Sequence, residues 1–229
     1  MQAQALVDDL HDDIRPDYTM DQPYGRYTSV DHAVWRKLFE RQGDLLKGRA
    51  CDEFLAGLAG LGATKDHIPH FERLTEALMK ATGWQIVAVP GLVPDDVFFG
   101  HLAARRFPVT WWIRKPEQMD YLQEPDAFHD IYGHVPLLMN PIFGDYMQAY
   151  GEGGLKALKQ NALNYLARLY WYTVEFGLIR TKDGLRIYGS GIVSSKTESI
   201  HCLESPAPNR IAFAPKRIMR TGYRIVCFK

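Results

Sequence analysis

Two histidines and one glutamate are the residues of this chain best suited to chemistry. His129 and His134 lie in Glu124-Pro-Asp-Ala-Phe-His-Asp-Ile-Tyr-Gly-His-Val-Pro136. Imidazole is a common metal ligand. On a regular α-helix, however, a five-residue spacing puts two side chains about 140° apart, against about 40° for a four-residue spacing. Sharing one ion therefore requires a helix that is distorted or ends near Gly133 and Pro136. Failing that, the two histidines pack separately. Glu175 is the sole ionisable carboxylate in Leu169-Tyr-Trp-Tyr-Thr-Val-Glu-Phe-Gly-Leu-Ile179. An isolated buried carboxylate is costly, so it is paired or bound to a metal. Arg168 and Arg180 are the cations that could pair with it. Two histidines and a carboxylate form the facial triad that leaves open positions on iron(II). Zinc hydrolases use the same ligand types, but their helix has Glu after the first His and the second His four residues on. Here Asp130 follows His129 and the spacing is five. The pattern favours iron, and a zinc hydrolase is the alternative.

Two further stretches could bind a ligand. Arg114 ends the aromatic strand-like run Trp111-Trp-Ile-Arg. It could grip a carboxylate with both prongs or simply be a solvated strand end. Tyr188-Gly-Ser-Gly-Ile-Val-Ser-Ser195 has two glycines that permit close backbone approach and, in Ser194, a hydroxyl. The chain has no phosphate-binding loop, no dinucleotide fingerprint and no Gly-x-Ser-x-Gly elbow.

The elements that must position these residues follow from periodicity. Residues 1–28 are polar, broken by Pro16, Pro23 and Gly25, and read as an extended arm. A helix is predicted from Ser29 to near Gly48 with Trp35, Leu38, Phe39 and Leu45 on one face. A second spans Cys51–Leu61 and is closed by Gly62. A third opens at Pro69-His70, carries Phe71, Leu74, Leu78 and Met79, and stops at Gly83. Strands are predicted at 84–89 and 107–113, with a helix at 94–105 between them and a loop at 116–123. A long helix is predicted over 157–179, and a short glycine-bearing strand or loop over 188–193. The fold class is α+β, mainly α, as one domain over 29–229.

Composition narrows the partners. Of 229 residues, 27 are Lys or Arg and 27 are Asp or Glu, and this zero balance gives no footprint for nucleic acid or an anionic membrane. No apolar run is long enough to span a bilayer. The acidic start Met1–Leu10 lacks the basic segment of a signal peptide. Cys51, Cys202 and Cys227 are odd in number and far apart, which predicts a reduced, cytoplasmic protein.

In three places the sequence resembles the pterin-dependent aromatic amino acid hydroxylases: Pro125-Asp-Ala-Phe-His-Asp-Ile-Tyr-Gly-His-Val-Pro-Leu137, Tyr170-Trp-Tyr-Thr-Val-Glu-Phe-Gly-Leu178 and Tyr188–Ser195. Phe107-Pro-Val-Thr-Trp-Trp-Ile-Arg114 and Tyr121-Leu-Gln-Glu-Pro-Asp126 resemble the family's bacterial branch. The likeness runs from about Tyr27 to Tyr223. It implies a helical basket with small strands that hydroxylates L-phenylalanine to L-tyrosine with dioxygen. It implies iron(II) on His129, His134 and Glu175. It implies tetrahydrobiopterin or a related tetrahydropterin along Gly91, Leu92 and Val93, stacked on Phe98 near Asp130 and Ala167. The substrate carboxylate would meet Arg114 and Ser194, and its ring Pro125, Trp171, Phe176 and Gly191. Asp130 stands where many relatives have Glu, and Leu122 where animal members have Thr. The resemblance also implies that the catalytic domain continues past Lys229, so a catalytically impaired truncated remnant is a further alternative. On that reading Tyr223–Phe228 begins a strand left uncovered, with low stability and poor coupling of pterin oxidation to tyrosine formation. A monomer is expected.

Overall fold

The computed structural model describes residues 13–120, 122 and 124–222. The expected strand at 223–228 lies outside them. Helix α1 (Ser29–Leu45) starts at Thr28, whose hydroxyl accepts from the Asp31 amide while the Asp31 carboxylate accepts from the Thr28 amide. It buries Val34, Trp35, Leu38 and Gln42. Helix α2 (Asp52–Leu61) is closed by Gly62 in the left-handed conformation, φ 66°, a geometry that favours glycine. Helix α3 (Phe71–Ala81) buries Phe71, Leu74 and Leu78. Met79, expected on the same stripe, is exposed.

Strands β1 (Gln85–Val89) and β2 (Arg106–Thr110) pair in parallel, from Gln85 against Arg106 to Val89 against Thr110. Helix α4 (Asp95–Ala103) is the crossover between them. The strand expected to reach Ile113 stops at Thr110, and Trp111, Trp112 and Ile113 continue as buried coil. The arm is tied down: Met20 bridges to Ala88, His101 Nε2 meets the Asp17 carbonyl at 2.9 Å, and Arg106 pairs with Asp17.

A short helix α5 (Val135–Leu138) leads into α6 (Pro141–Lys159), which the sequence reading lacks. Four glycines, Gly144, Gly151, Gly153 and Gly154, weaken helix propensity there. Three of them are contact points. A Cβ at Gly151 would collide with the backbone of Leu102 and Ala103, one at Gly154 with the Phe99 ring, and one at Gly144 would come within 2.9 Å of Trp84 Nε1. The glycines let α4 and Trp84 approach the α6 backbone, and that packing outweighs propensity.

The single helix expected over 157–179 is instead several elements. Helix α6 ends at Lys159, Asn161 turns at φ 52°, and α7 spans Leu163–Tyr170. A π-helical segment follows at Trp171–Glu175, then a hairpin of β3 (Leu178–Thr181) and β4 (Gly184–Ile187). The chain leaves the helix at Gly177, where only glycine fits, because a Cβ there would strike the Tyr188 ring and the Thr173 carbonyl. Residues 190–193, expected as strand or loop, form one helical turn, α8 (Ser190–Val193). Helices α9 (Lys196–Glu204) and α10 (Pro215–Ile218) follow, and single 3-10 turns form at Tyr24–Arg26 in the expected extended arm and at Pro116–Gln118 in the expected loop. The core centres on Trp35, Phe54, Trp84, Phe128 and Tyr132, so the site's elements are braced from behind by large rings.

Candidate metal centre

His129 and His134 lie on a π-helical segment, His129–His134. In a π-helix each amide bonds to the carbonyl five residues back, so residues five apart stack on one face. The spacing that a regular α-helix would splay is thereby closed: the two Nε2 atoms are 3.2 Å apart. Glu175 ends the second π-helical segment, which carries the matching five-residue bond from the Phe176 amide to the Trp171 carbonyl. Its Oε1 is 3.1 Å from His134 Nε2 and its Oε2 3.9 Å from His129 Nε2. Among the described residues these three form the one group of His, Cys, Asp or Glu able to share an ion, with ligand atoms within 4.8 Å of one another. Donors at right angles on bonds of about 2.1 Å lie about 3.0 Å apart, so the His–His and His134–Glu175 separations suit a first-row divalent ion. Arg168 does not pair with Glu175. Its Nη1 donates to the Met219 carbonyl, and Arg180 is exposed on β3.

Protonation suits a metal. Burial pushes His129 down to about 4, so its imidazole is neutral at pH 7. Burial alone would raise Glu175, but the charge and hydrogen bond of His134, with smaller contributions from His129 and Ser190, pull it to about 2. Ser194 fixes the His129 tautomer. Its hydroxyl donates to the Ser190 carbonyl at 2.8 Å and so accepts from His129 Nδ1 at 2.9 Å, leaving the Nε2 lone pair for a metal. Tyr170 Oη lies 3.4 Å from His134 Nδ1.

Arg114 is buried, 7% exposed, and is not a solvated strand end. Its Nε and Nη2 donate to the two carboxylate oxygens of Asp126, each at 2.9 Å. Asp126 also accepts from the Arg114 amide and, at 3.0 Å, from the His129 amide. Burial would raise its pKa, but the Arg114 charge and these hydrogen bonds hold it below the ordinary range. One edge of the guanidinium is therefore committed to Asp126, and Nη1 is the terminal nitrogen not bonded to that carboxylate. Asp126 is not singled out as a site residue by sequence reasoning. Its position three residues before His129 was the available signal.

Gly91, Leu92 and Val93 link β1 to α4, with Leu92 75% exposed, and Trp112 Nε1 donates to the Pro90 carbonyl beside them. Phe98 meets the Tyr170 ring edge-on at 6.1 Å, and Tyr170 stacks on His134. Asp130 is buried, accepts from the Thr110 amide at 2.7 Å, and is pushed by burial up to about 7. Ala167 lines a surface recess with Asn164, Arg168 and Gly222. Pro125 is half-buried next to Asp126. The rings of Trp171 and Phe176 are 4.7 Å apart. Gly191 sits between Phe176 and Glu175, where a Cβ would come within 2.9 Å of Glu175 Oε2. Ser194 has its single proton on the Ser190 carbonyl, so in this arrangement its hydroxyl has no proton left to donate to a carboxylate. Ser190 and Gly133, which sequence reasoning did not single out as site residues, pack against each other here.

The family described as "Biopterin-dependent aromatic amino acid hydroxylase" matches residues 9–229. The chain is 69% identical over 216 residues to the phenylalanine-4-hydroxylase of Ralstonia nicotianae, covering 94% of this chain and 69% of that one. It is 63% identical to the phenylalanine-4-hydroxylase of Chromobacterium violaceum, covering 93% and 72%. Its fold matches the iron- and phenylalanine-bound crystal structure of the Chromobacterium violaceum enzyme with a TM-score of 0.93 and 58% identity, over 99% of this chain and 82% of that one. The cobalt-bound form matches with a TM-score of 0.90 and 64% identity, over 91% and 76%. The chain belongs to the biopterin-dependent aromatic amino acid hydroxylases. That membership sets the zinc-hydrolase alternative aside.

Proposed function

We propose that this chain is a phenylalanine 4-monooxygenase that converts L-phenylalanine to L-tyrosine with dioxygen, iron(II) and a tetrahydropterin. The observation that carries this reading is the convergence of His129, His134 and Glu175 within 4.8 Å in a member of this family. The donor set fits iron(II): two imidazoles and one carboxylate would leave open positions on one side of the ion. Iron and pterin together supply the electrons that activate dioxygen.

The protein's own residues bind, orient and exclude water. Ser194 and Asp126 set the tautomer and backbone position of His129. The free end of Arg114 takes the substrate carboxylate, and the wall of Pro125, Trp171, Phe176 and Gly191 takes the ring. Gly91, Leu92, Val93, Phe98, Asp130 and Ala167 form the pterin side. The closeness of Gly191 to both Phe176 and Glu175 supports this arrangement, because a substrate ring against Gly191 would lie beside a metal ligand. We take 29–229 as one catalytic domain preceded by the arm 1–28, whose described residues 13–28 are pinned to the body at Asp17 and Met20, acting as a cytoplasmic monomer in phenylalanine catabolism. The described helices include none long and apolar enough to cross a membrane.

The test is tyrosine formation by the purified chain with iron(II), tetrahydropterin and phenylalanine, measured beside pterin consumption. Iron-dependent tyrosine formation is the expected result. Absence of tyrosine from iron-loaded, folded protein refutes the assignment.

A further inference from the structure

Ser190 occupies a place that the reaction's named residues do not explain. It is 2% exposed and opens α8, between the two π-helical segments. On one side Gly133 presses against it: a Cβ at Gly133 would lie 2.9 Å from the Ser190 carbonyl oxygen and 3.3 Å from its Cβ. On the other side its hydroxyl lies 3.0 Å from the Val174 carbonyl and 3.0 Å from Glu175 Oε2. Its carbonyl holds the Ser194 hydroxyl, which in turn holds His129. One buried serine thus touches the supports of two of the three metal ligands.

We propose that Ser190 is a positioning residue that holds Glu175 Oε2, so that the carboxylate binds metal through Oε1. A hydroxyl has one proton and here two acceptors. The ionised carboxylate is the stronger acceptor, so the proton lies on Oε2. That bond withdraws electron density from Oε2 and favours Oε1, 3.1 Å from His134 Nε2, as the donor. Rotation of the hydroxyl to the Val174 carbonyl frees Oε2. Ser190 therefore decides whether the carboxylate occupies one position on the ion or two, and so how many positions stay open for other ligands. This rests on the assignment of His129, His134 and Glu175 as the iron ligands.

The test uses the full chain loaded anaerobically with iron(II), compared with its metal-free form by difference infrared spectroscopy. A carboxylate bound through one oxygen has unequal C–O bonds and widely split stretching bands, whereas one bound through both has narrower splitting. In the unchanged chain wide splitting is expected. Ser190→Ala removes one atom and should narrow the splitting, and iron(II) affinity should change about tenfold, as for other residues that support metal ligands. Ser190→Thr restores the hydroxyl and should restore the wide splitting. Unchanged splitting in folded, iron-loaded Ser190→Ala overturns the proposal, as does narrow splitting in the unchanged chain. If Ser190→Ala does not fold, narrow splitting in folded Ser190→Thr overturns it and wide splitting supports it. Failure of the unchanged chain to bind iron overturns the ligand assignment itself and this proposal with it, a result read from metal content before any spectrum.

Discussion

At the scale of single residues, the site works by linking each polar group to the next. Ser194 donates to Ser190 and accepts from His129, and Asp126 grips Arg114 while holding the His129 amide. His129→Ala and His134→Ala should each remove stoichiometric iron while leaving the far-ultraviolet circular dichroism intact, because the large rings behind the site, not the imidazoles, hold the fold. Retained iron and turnover in both variants would disprove the ligand assignment. Arg114 and Asp126 separate binding from stability. Arg114→Lys keeps the charge but loses the planar fork, so KM for phenylalanine should rise strongly with iron content unchanged. Asp126→Ala leaves the buried guanidinium uncompensated and should cost about 3–5 kcal/mol in chemical denaturation. An unchanged KM in the first, or unchanged stability in the second, would contradict the geometry described.

At the scale of elements, α6 offers a contest of two effects with opposite signs. In a helix Ala is favoured over Gly by about 1 kcal/mol. At Gly153 a Cβ would meet only Leu166 Cδ1, at 3.8 Å, an ordinary contact. Gly153→Ala should therefore raise Tm by the propensity gain. At Gly151 a Cβ would collide with the α4 backbone and lie 2.7 Å from Leu102 Cβ. Gly151→Ala should lower stability by about 1–3 kcal/mol, the usual cost of overpacking. Equal shifts in the two thermal melts would show that α4 and α6 do not pack as described. Much of the remaining architecture was legible. The α1–α3 boundaries and β1 follow from apolar spacing and from Gly62 and Gly83. The three elements between Lys159 and Thr181 did not follow, because apolar spacing within 157–179 does not register the close approach of Tyr188, just past β4, to Gly177, which leaves no room for a Cβ.

At the scale of the whole molecule, the arm and body are joined through a titratable contact. His101 is buried, with Nε2 on the Asp17 carbonyl and Nδ1 without a hydrogen-bond partner, and burial lowers its pKa. The unfolded chain binds a proton here near pH 6.5, whereas the folded chain binds it only at lower pH. Stability is therefore lost as pH falls below about 6.5, since the unfolded state takes up more protons. His101→Gln keeps a donor for Asp17 but does not titrate. The drop in Tm between pH 7.5 and pH 5.5 should be smaller in that variant. An identical drop would place the acid sensitivity elsewhere.

The sequence by itself determined the ligand types, the family motifs that carry them, the α+β class dominated by helices, and the early helices whose apolar faces repeat at helical spacing. It posed the five-residue histidine spacing as a question without answering it. The tertiary structure answered it, because a π-helical segment needs Gly133 to pack on Ser190, a residue 57 positions further along the chain. The same holds for Glu175, whose neighbours in sequence are apolar but whose polar partners, His134 and Ser190, come from other elements. Local periodicity records which face of a helix is apolar. It does not record which distant atom satisfies a buried charge, and only the folded chain brings that atom within hydrogen-bonding distance.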